Sequence, residues 1–253
     1  MPYPERYVVF LDILGFSEIV RKTDTDALTS RFDALVKTLN EINSRENELD
    51  DVVGDDFKFQ TFSDSIVMSA NASTNGLLYV LYAARQLALN LLGNGILTRG
   101  AIAKGKLHHV GSVMFGPAFL DAHRIEHEIA KYPRIILSEK VFEDLKLMKP
   151  GLIEPTYILG DDGPPYLHIL QGLKKLNSDS YFSIEGRNSS EVIEAQSYQR
   201  ILQNLLDHSI HEPRHFEKVR WFALYWNGTF GVAPDAPIGP VTFPGSRDVS
   251  WIA

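Results

Sequence analysis

The sequence predicts an α+β fold, because strand-like and helix-like segments alternate along most of the chain. Tyr7 to Leu11 form a short apolar run, which is typical of a strand buried on both faces. Residues 57–62 and 66–69 are two β-like runs with Asp64 between them, a spacing that predicts a hairpin with an acidic tip. Helical periodicity before and after this hairpin, and a strand beyond it, complete the order of a ferredoxin-like βαββαβ sheet.

The helices of this core are predicted from apolar residues that recur every three or four positions over 28–42 and 77–91. Glycines end the second of these helices. The rest of the core is predicted as a strand at 96–103, a helix at 116–130, a strand at 134–137 and a short helix at 138–147. His108 and His109 are expected to lie in a solvated turn.

The chain changes character beyond this core. Residues 156–159 and 166–170 predict a further hairpin, and two amphipathic helices follow it. Proline and glycine are frequent after Gly231, so we expect the tail to be extended. We therefore predict two domains, one over residues 1–180 that contains the sheet and one over 181–253 that contains the C-terminal helices and the extended tail.

The composition limits the classes of function. The chain has 253 residues, of which 44% are apolar, and this is enough for a full hydrophobic core. The absence of cysteine excludes disulfides, thiolate catalysis and cysteine-bound zinc. The net charge of −7 argues against nucleic-acid binding, and the sequence has neither a signal peptide nor a long apolar segment. We expect a cytoplasmic protein that binds neither nucleic acid nor membrane.

Two aspartates are candidates for a metal-binding site, because both lie at the ends of predicted strands. Asp12 ends the first strand and Asp64 lies at the hairpin tip, so the two carboxylates should converge at one edge of the sheet. Taken singly, each fits an ordinary turn residue. Two hard oxygen anions in proximity favour bound cations, so together they predict a site for two Mg²⁺ or Mn²⁺ ions. The turn at Gly15 and Phe16 opens a helix, and its N–H groups suit a phosphate.

Five segments carry family-like motifs, and they occur in register over about Tyr7 to Leu145. The segments are FLDILGFS, SDS, RGAIAKGKL, FGPAFLDAHRIE and ILSEKVFEDL. Together they resemble class III adenylate and guanylate cyclase domains, whose matching patterns are F-x-D-I-x-G-F, a G-D tip, R-x-G-I-x-x-G, F-G-x-x-V-N-x-A-x-R-L-E and I-x-V-S-x-x-T-x-x-x-L. Ser63 replaces the glycine of the family's tip. Five weak motifs in order identify the chain as similar to a class III nucleotidyl cyclase, a phosphorus–oxygen lyase that closes a nucleoside triphosphate into a cyclic nucleotide.

The resemblance implies roles for residues on the first strand and its hairpin. Asp12 and Asp64 match the metal-binding aspartates of the family, and the carbonyl of Ile13 matches its backbone ligand. Gly15 and Phe16 match the turn that contacts the phosphates. Two ions, Mn²⁺ or Mg²⁺, are therefore implied at each site.

The resemblance also implies a homodimer with shared active sites. Arg124 matches the arginine that stabilises the transition state from the partner chain. The family asparagine that orients the ribose is replaced by Leu120, which leaves that contact to another group such as Asp121. The two positions that read the base in the family are Gln60 and Val113, and a glutamine can both donate and accept hydrogen bonds.

The segments KGKLHHVGSVMFGPAF and EHEIAKYPRIILSE resemble one branch of the family, the Pycsar pyrimidine cyclases of bacterial anti-phage defence. This likeness implies conversion of UTP to cyclic UMP and diphosphate, or of CTP to cyclic CMP, as a signal for a separate effector. The sequence leaves open an ordinary adenylate or guanylate cyclase, and an inactive nucleotide-binding module. A diguanylate cyclase or polymerase palm shares the sheet, but the former's Gly-Gly-acid tip and a polymerase's basic channel are absent from the sequence.

Overall fold

A computed structural model describes the protein at residues 3–17, 33, 36–37, 56–148, 156–177, 190–231 and 236–244. The helix predicted over 28–42 lies outside these residues, apart from the isolated positions. The chain divides into two compact units, Met1–Ile169 and Leu170–Ala253, whereas the sequence placed the domain boundary after residue 180.

The first unit is built on a seven-stranded sheet with the strand order β2-β3-β1-β4-β7-β9-β8. Its strands are β1 (Glu5–Ile13), β2 (Lys58–Phe62), β3 (Ser65–Asn71), β4 (Thr98–Lys106), β7 (Ile135–Leu137), β8 (Tyr157–Leu159) and β9 (Pro165–Leu167). A separate hairpin consists of β5 (His108–Val110) and β6 (Val113–Phe115). The helices of this unit are α1 (Thr74–Gly93), α2 (Pro117–Glu128) and α3 (Glu139–Leu147).

The order of the first four strands confirms the predicted fold class. Strand β1 lies between β3 and β4 and is antiparallel to both, and β2 pairs antiparallel with β3. This is the ferredoxin-like arrangement. Strand β7 pairs parallel with β4, which requires a crossover, and α2 lies within that connection. The predicted second hairpin, β8 and β9, extends the sheet beyond β7.

The two faces of the sheet are covered by different helices. Val8 and Phe10 of β1 pack in one cluster with Ala118 and Ala122 of α2. Tyr7, which points to the opposite face because side chains alternate along a strand, donates a hydrogen bond to Asp144 of α3 at 2.7 Å. Helix α1 contacts β1 and β3. We call the side covered by α2 the α2 face.

The expectation of a solvated turn at His108 and His109 is wrong. His109 lies in β5 and is buried, and its Nδ1 lies 2.8 Å from the Ser69 hydroxyl. A Gly111-Ser112 turn closes the hairpin between Val110 and Val113. The alternating residues around a glycine-serine pair are a hairpin signal that the sequence contained.

The second unit is helical with an extended tail. Its elements are α4 (Gln171–Lys174), a 3₁₀ turn at Lys175–Asn177, α5 (Ser190–His208), a 3₁₀ turn at Ser209–His211 and α6 (Pro213–Phe230). Residues 236–244 run without regular secondary structure and are bound by amide side chains such as those of Gln203 and Asn227. Among the helices that the structure describes, none is long and apolar enough to cross a bilayer.

Candidate active site

Asp12 and Asp64 lie at the same end of two neighbouring strands. Asp12 is paired with Ser65 in the register of β1 and β3, and the backbone N–H of Ile13 donates to the carbonyl of Asp64 at 2.9 Å. Both aspartates are close enough to Glu126 of α2 to raise the pKa of that carboxyl electrostatically. The structure therefore places Asp12 and Asp64 on neighbouring strand ends, and both lie within electrostatic reach of Glu126.

Two turns beside this edge use the left-handed region of the backbone. Ser63, at the tip of the β2–β3 hairpin, has a φ of +56°, a value that glycine adopts at lower cost. Gly15, after β1, has a φ of +78°, and no atom lies within 4 Å of the position that a Cβ would occupy. Conformation, and not space, therefore favours glycine at position 15.

An ion pair that the sequence interpretation missed holds Asp12. Arg99 of β4 is the neighbour of Asp12 in the strand register, and its Nε donates to Asp12 Oδ2 at 3.0 Å. The same Nε lies 2.8 Å from Glu126 Oε1. Burial raises the pKa of the Glu126 carboxyl, while the charge of Arg99 lowers it. A glutamate on the buried stripe of α2, four residues after Ala122, was the available signal.

Arg124 lies on the exposed side of α2. Its guanidinium pairs with Glu128 on the same helix at 3.5 Å, and about half of each side chain is accessible. Leu120 and Asp121, one turn earlier, are also exposed. Within the described part of a single chain, Arg124 is thus paired along its own helix and not with the two aspartates.

The structure brings Gln60 to the tip of the β5–β6 hairpin. Gln60 Nε2 donates to the carbonyl of Ser112 at 3.1 Å, and Ser112 precedes the exposed Val113. Gln60 Oε1 is buried and receives no hydrogen bond. Such an acceptor is costly to leave unsatisfied, so movement of the side chain toward a hydrogen-bond donor would be favourable.

The oxygen atoms at this edge suit a hard divalent cation. Among the described residues, no group of three or more His, Cys, Asp or Glu side chains is arranged as a metal site. Mg²⁺ in nucleotide-binding sites is commonly held by one or two carboxylates together with water and substrate phosphates. Asp12, Asp64 and the carbonyl of Ile13 could provide a donor set of that kind.

Comparisons with known proteins give distant structural matches. No family model and no curated protein matches the sequence. The catalytic core of a rhodopsin-guanylyl cyclase with converted specificity, solved with ATPαS, is 20% identical, with a TM-score of 0.40 over 66% of this chain and 95% of that one. A bacterial light-regulated adenylyl cyclase is 15% identical, with a TM-score of 0.40 over 67% of this chain and 52% of that one.

A third match is a class III adenylyl cyclase-like ATP-binding protein from Pseudomonas aeruginosa. It is 16% identical, with a TM-score of 0.33 over 55% of this chain and 34% of that one. This chain thus spans about half or less of the length of the second and third matches.

Proposed function

We propose that the protein is a class III nucleotidyl cyclase. The convergence of Asp12 and Asp64 at one edge of a ferredoxin-like sheet carries this proposal, because the motifs FLDILGFS and SDS, which contain these two aspartates, require that placement. The reaction is an in-line attack of the ribose 3′-hydroxyl on the α-phosphorus, which releases diphosphate and leaves a 3′,5′-cyclic nucleotide.

Different residues of the chain would bind the cations, contact the phosphates and stabilise the transition state. Asp12, Asp64 and the carbonyl of Ile13 would hold Mg²⁺ or Mn²⁺, which supplies activation of the hydroxyl and neutralisation of the triphosphate. The turn at Gly15 presents backbone N–H groups to the phosphates. Arg124 offsets the negative charge that develops on the phosphoryl oxygens.

The position of Arg124 favours a site shared between two copies of the chain. Arg124 is exposed, and within its own chain it pairs with Glu128 and not with Asp12 or Asp64. We therefore assign it to a triphosphate that is bound by the aspartates of a partner chain. Large apolar side chains are also exposed on and beside the α2 face. They are Phe62, Val110, Val113, Phe115 and Leu120. A second copy of the chain would bury this surface and bring each Arg124 to the partner's aspartates.

Gln60 supports a pyrimidine substrate, with UTP as the first choice. A glutamine amide can accept from N3–H of uracil through its oxygen and donate to O4 through its nitrogen, so Gln60 fits this base when its side chain turns toward the substrate. The resemblance to pyrimidine cyclases of anti-phage defence agrees with this choice, and it extends the proposal to a cyclic UMP signal read by a separate effector. CTP, which presents a different edge to Gln60, is the alternative.

The test is incubation of the full chain with each of the four ribonucleoside triphosphates and Mn²⁺, followed by mass spectrometry of the products. We expect cyclic UMP as the main product. Cyclic AMP or cyclic GMP as the main product would contradict the pyrimidine assignment. Triphosphate binding without any cyclic product would contradict the cyclase and favour an inactive binding module, which the exposed Leu120 at the family's asparagine position makes the relevant alternative.

A further inference from the structure

Arg99 lies between two carboxylates on the α2 face. Its Nε lies 3.0 Å from Asp12 Oδ2 and 2.8 Å from Glu126 Oε1. The single hydrogen on Nε is directed at Asp12, so Glu126 Oε1 is ion-paired but receives no hydrogen bond. Arg99 Nη1 also donates to the carbonyl of Ala130 at 3.5 Å, beyond the end of α2. Contacts from the sheet and from the helix region together fix the guanidinium.

Glu126 is the buried acid of α2. Only 3% of the residue is exposed, whereas Asp121 and Glu128 on the same helix are exposed. A buried carboxylate is strongly unfavourable unless a charge compensates it, and Arg99 is the cation beside it. The pairing works in both directions, because Glu126 also neutralises the charge that Arg99 brings to Asp12.

We propose that Glu126 is a positioning residue for the cation site, which neutralises and holds Arg99 so that Asp12 stays available to Mg²⁺ or Mn²⁺. The inference rests on the proposed function, because it presupposes cations at Asp12 and Asp64. Arg99 donates to Oδ2 of Asp12, so Oδ1 is the oxygen that we assign to the cation. Glu126 thus acts through Arg99 and not as a ligand itself.

The charge balance explains why this pair affects cation binding. Three carboxylates, from Asp12, Asp64 and Glu126, and one guanidinium, from Arg99, leave a formal charge of −2 around the site. Without Glu126 the formal charge around the site becomes −1. Arg99 then interacts with Asp12 alone and competes with the divalent ion for that carboxylate. Partners that orient metal ligands typically change metal affinity about 10- to 100-fold.

The test measures Mn²⁺ binding to the full chain by the electron paramagnetic resonance signal of free Mn²⁺. We expect Glu126→Gln to weaken Mn²⁺ binding about tenfold, by analogy with other partners of metal ligands. Glu143→Gln, which removes an exposed glutamate on α3, is the matched control and should bind Mn²⁺ as the wild type does. Unchanged affinity in Glu126→Gln would overturn the inference.

The double variant Arg99→Gln/Glu126→Gln separates positioning from direct ligation. It removes both charges at once and leaves two amides that can hydrogen-bond, so it also serves if Glu126→Gln alone fails to fold. Since the competing cation is then absent, we expect Mn²⁺ affinity within about threefold of the wild type. An affinity as low as that expected for Glu126→Gln would show that Glu126 itself holds the ion, which contradicts a positioning role.

The outcomes separate this inference from the proposed function. A wild-type chain that binds no Mn²⁺ overturns the cation site, and the inference with it. A wild-type chain that binds Mn²⁺ with unchanged affinity in Glu126→Gln overturns the positioning role alone. Failure to cyclise any triphosphate, together with the expected pattern of Mn²⁺ affinities, overturns the cyclase and supports the positioning role.

Discussion

Arg6 is buried at the end of β1 opposite to Asp12 and is surrounded by polar partners. Its guanidinium donates to Ser69 Oγ at 3.1 Å, to Asn71 Oδ1 at 3.1 Å and to Asp56 Oδ2 at 2.6 Å. Ser69 in turn contacts His109 Nδ1. Burial and the charge of Arg6 lower the pKa of His109 against the opposing charge of Asp56, and they favour its neutral form.

Acid should therefore destabilise the fold through His109. Burial, and then the charges of Arg6 and Lys58, lower the pKa of His109 from 6.5 to about 4. Between these values the unfolded chain binds a proton that the folded chain does not, so stability falls as the pH falls. We expect the unfolding free energy of the wild type to drop about 2 kcal/mol more than that of His109→Gln between pH 7 and 5.

Urea denaturation at the two pH values measures this difference. His208→Gln, which removes an exposed histidine, is the control and should keep the steeper dependence of the wild type. Parallel pH dependences for the wild type and His109→Gln would contradict the neutral, buried state of His109.

Ser63 is a second residue of interest, because its backbone conformation is energetically unfavourable. Its φ of +56° is unfavourable for a residue with a Cβ, and glycine removes that cost. We expect Ser63→Gly to raise the unfolding free energy by about 0.5–1 kcal/mol, measured by urea denaturation. Ser65→Gly, two residues on in β3, should lower it, because glycine weakens a strand. A loss of stability in Ser63→Gly would contradict the left-handed tip.

The secondary structure elements differ in how far the sequence predicts them. The sheet core follows from β1 and the β2–β3 hairpin, because a fully apolar run and a paired run of β-formers leave few alternatives. Helix α1 begins three residues before its predicted range, where the Ser73 hydroxyl accepts from the N–H of Gly76 at 2.9 Å. Capping of this kind is local but is easily passed over when apolar periodicity alone sets the boundaries.

The β5–β6 hairpin was missed for a different reason. Its two strands are three residues each, too short for periodicity to stand out. Tertiary contacts stabilise it, since His109 is bonded to Ser69 of β3 and Gln60 of β2 is bonded to Ser112. The glycine-serine pair marks the turn locally, but the contacts that stabilise strands this short involve distant parts of the chain.

The tail of the second unit is bound by side chains in place of a strand partner. Asn227 of α6 accepts from the N–H of Val241 at 2.8 Å and donates to its carbonyl at 2.9 Å. Loss of both bonds in Asn227→Ala should lower the unfolding free energy by about 2 kcal/mol and increase cleavage of the tail by protease. Asn204→Ala, at an exposed position of α5, should leave both unchanged. A variant as stable and as resistant as the wild type would contradict this anchoring.

At the scale of the whole molecule, the candidate site combines features that the sequence contains with features that it conceals. The placement of Asp12 and Asp64 follows from topology, because the ends of adjacent strands must meet. The pairing of Arg99 with Asp12 and Glu126 depends on contacts between residues far apart in the chain. Side-chain networks of this kind need the register of β1 and β4 and the packing of α2, which no single motif specifies.

A shared site has a distinctive consequence for mixtures of variants. Asp64→Ala and Arg124→Ala should each be inactive, but half of the randomly mixed dimers contain one intact site out of two, so activity should return to about a quarter of the wild type. Mixing Asp64→Ala with Asp12→Ala damages both aspartate sets and should restore nothing. Equal activity in the two mixtures would contradict a site built from two chains.

The most direct measurement is the rate at which Asp64→Asn forms a cyclic nucleotide with Mn²⁺ and the best triphosphate. Asparagine keeps the shape of the hairpin tip but removes the charge that would hold the cation, so the rate should fall at least about a hundredfold with the fold intact. Asp161→Asn, in the turn before β9, should react as the wild type does. A folded Asp64→Asn chain that turns over at the wild-type rate would contradict a cation site at Asp12 and Asp64.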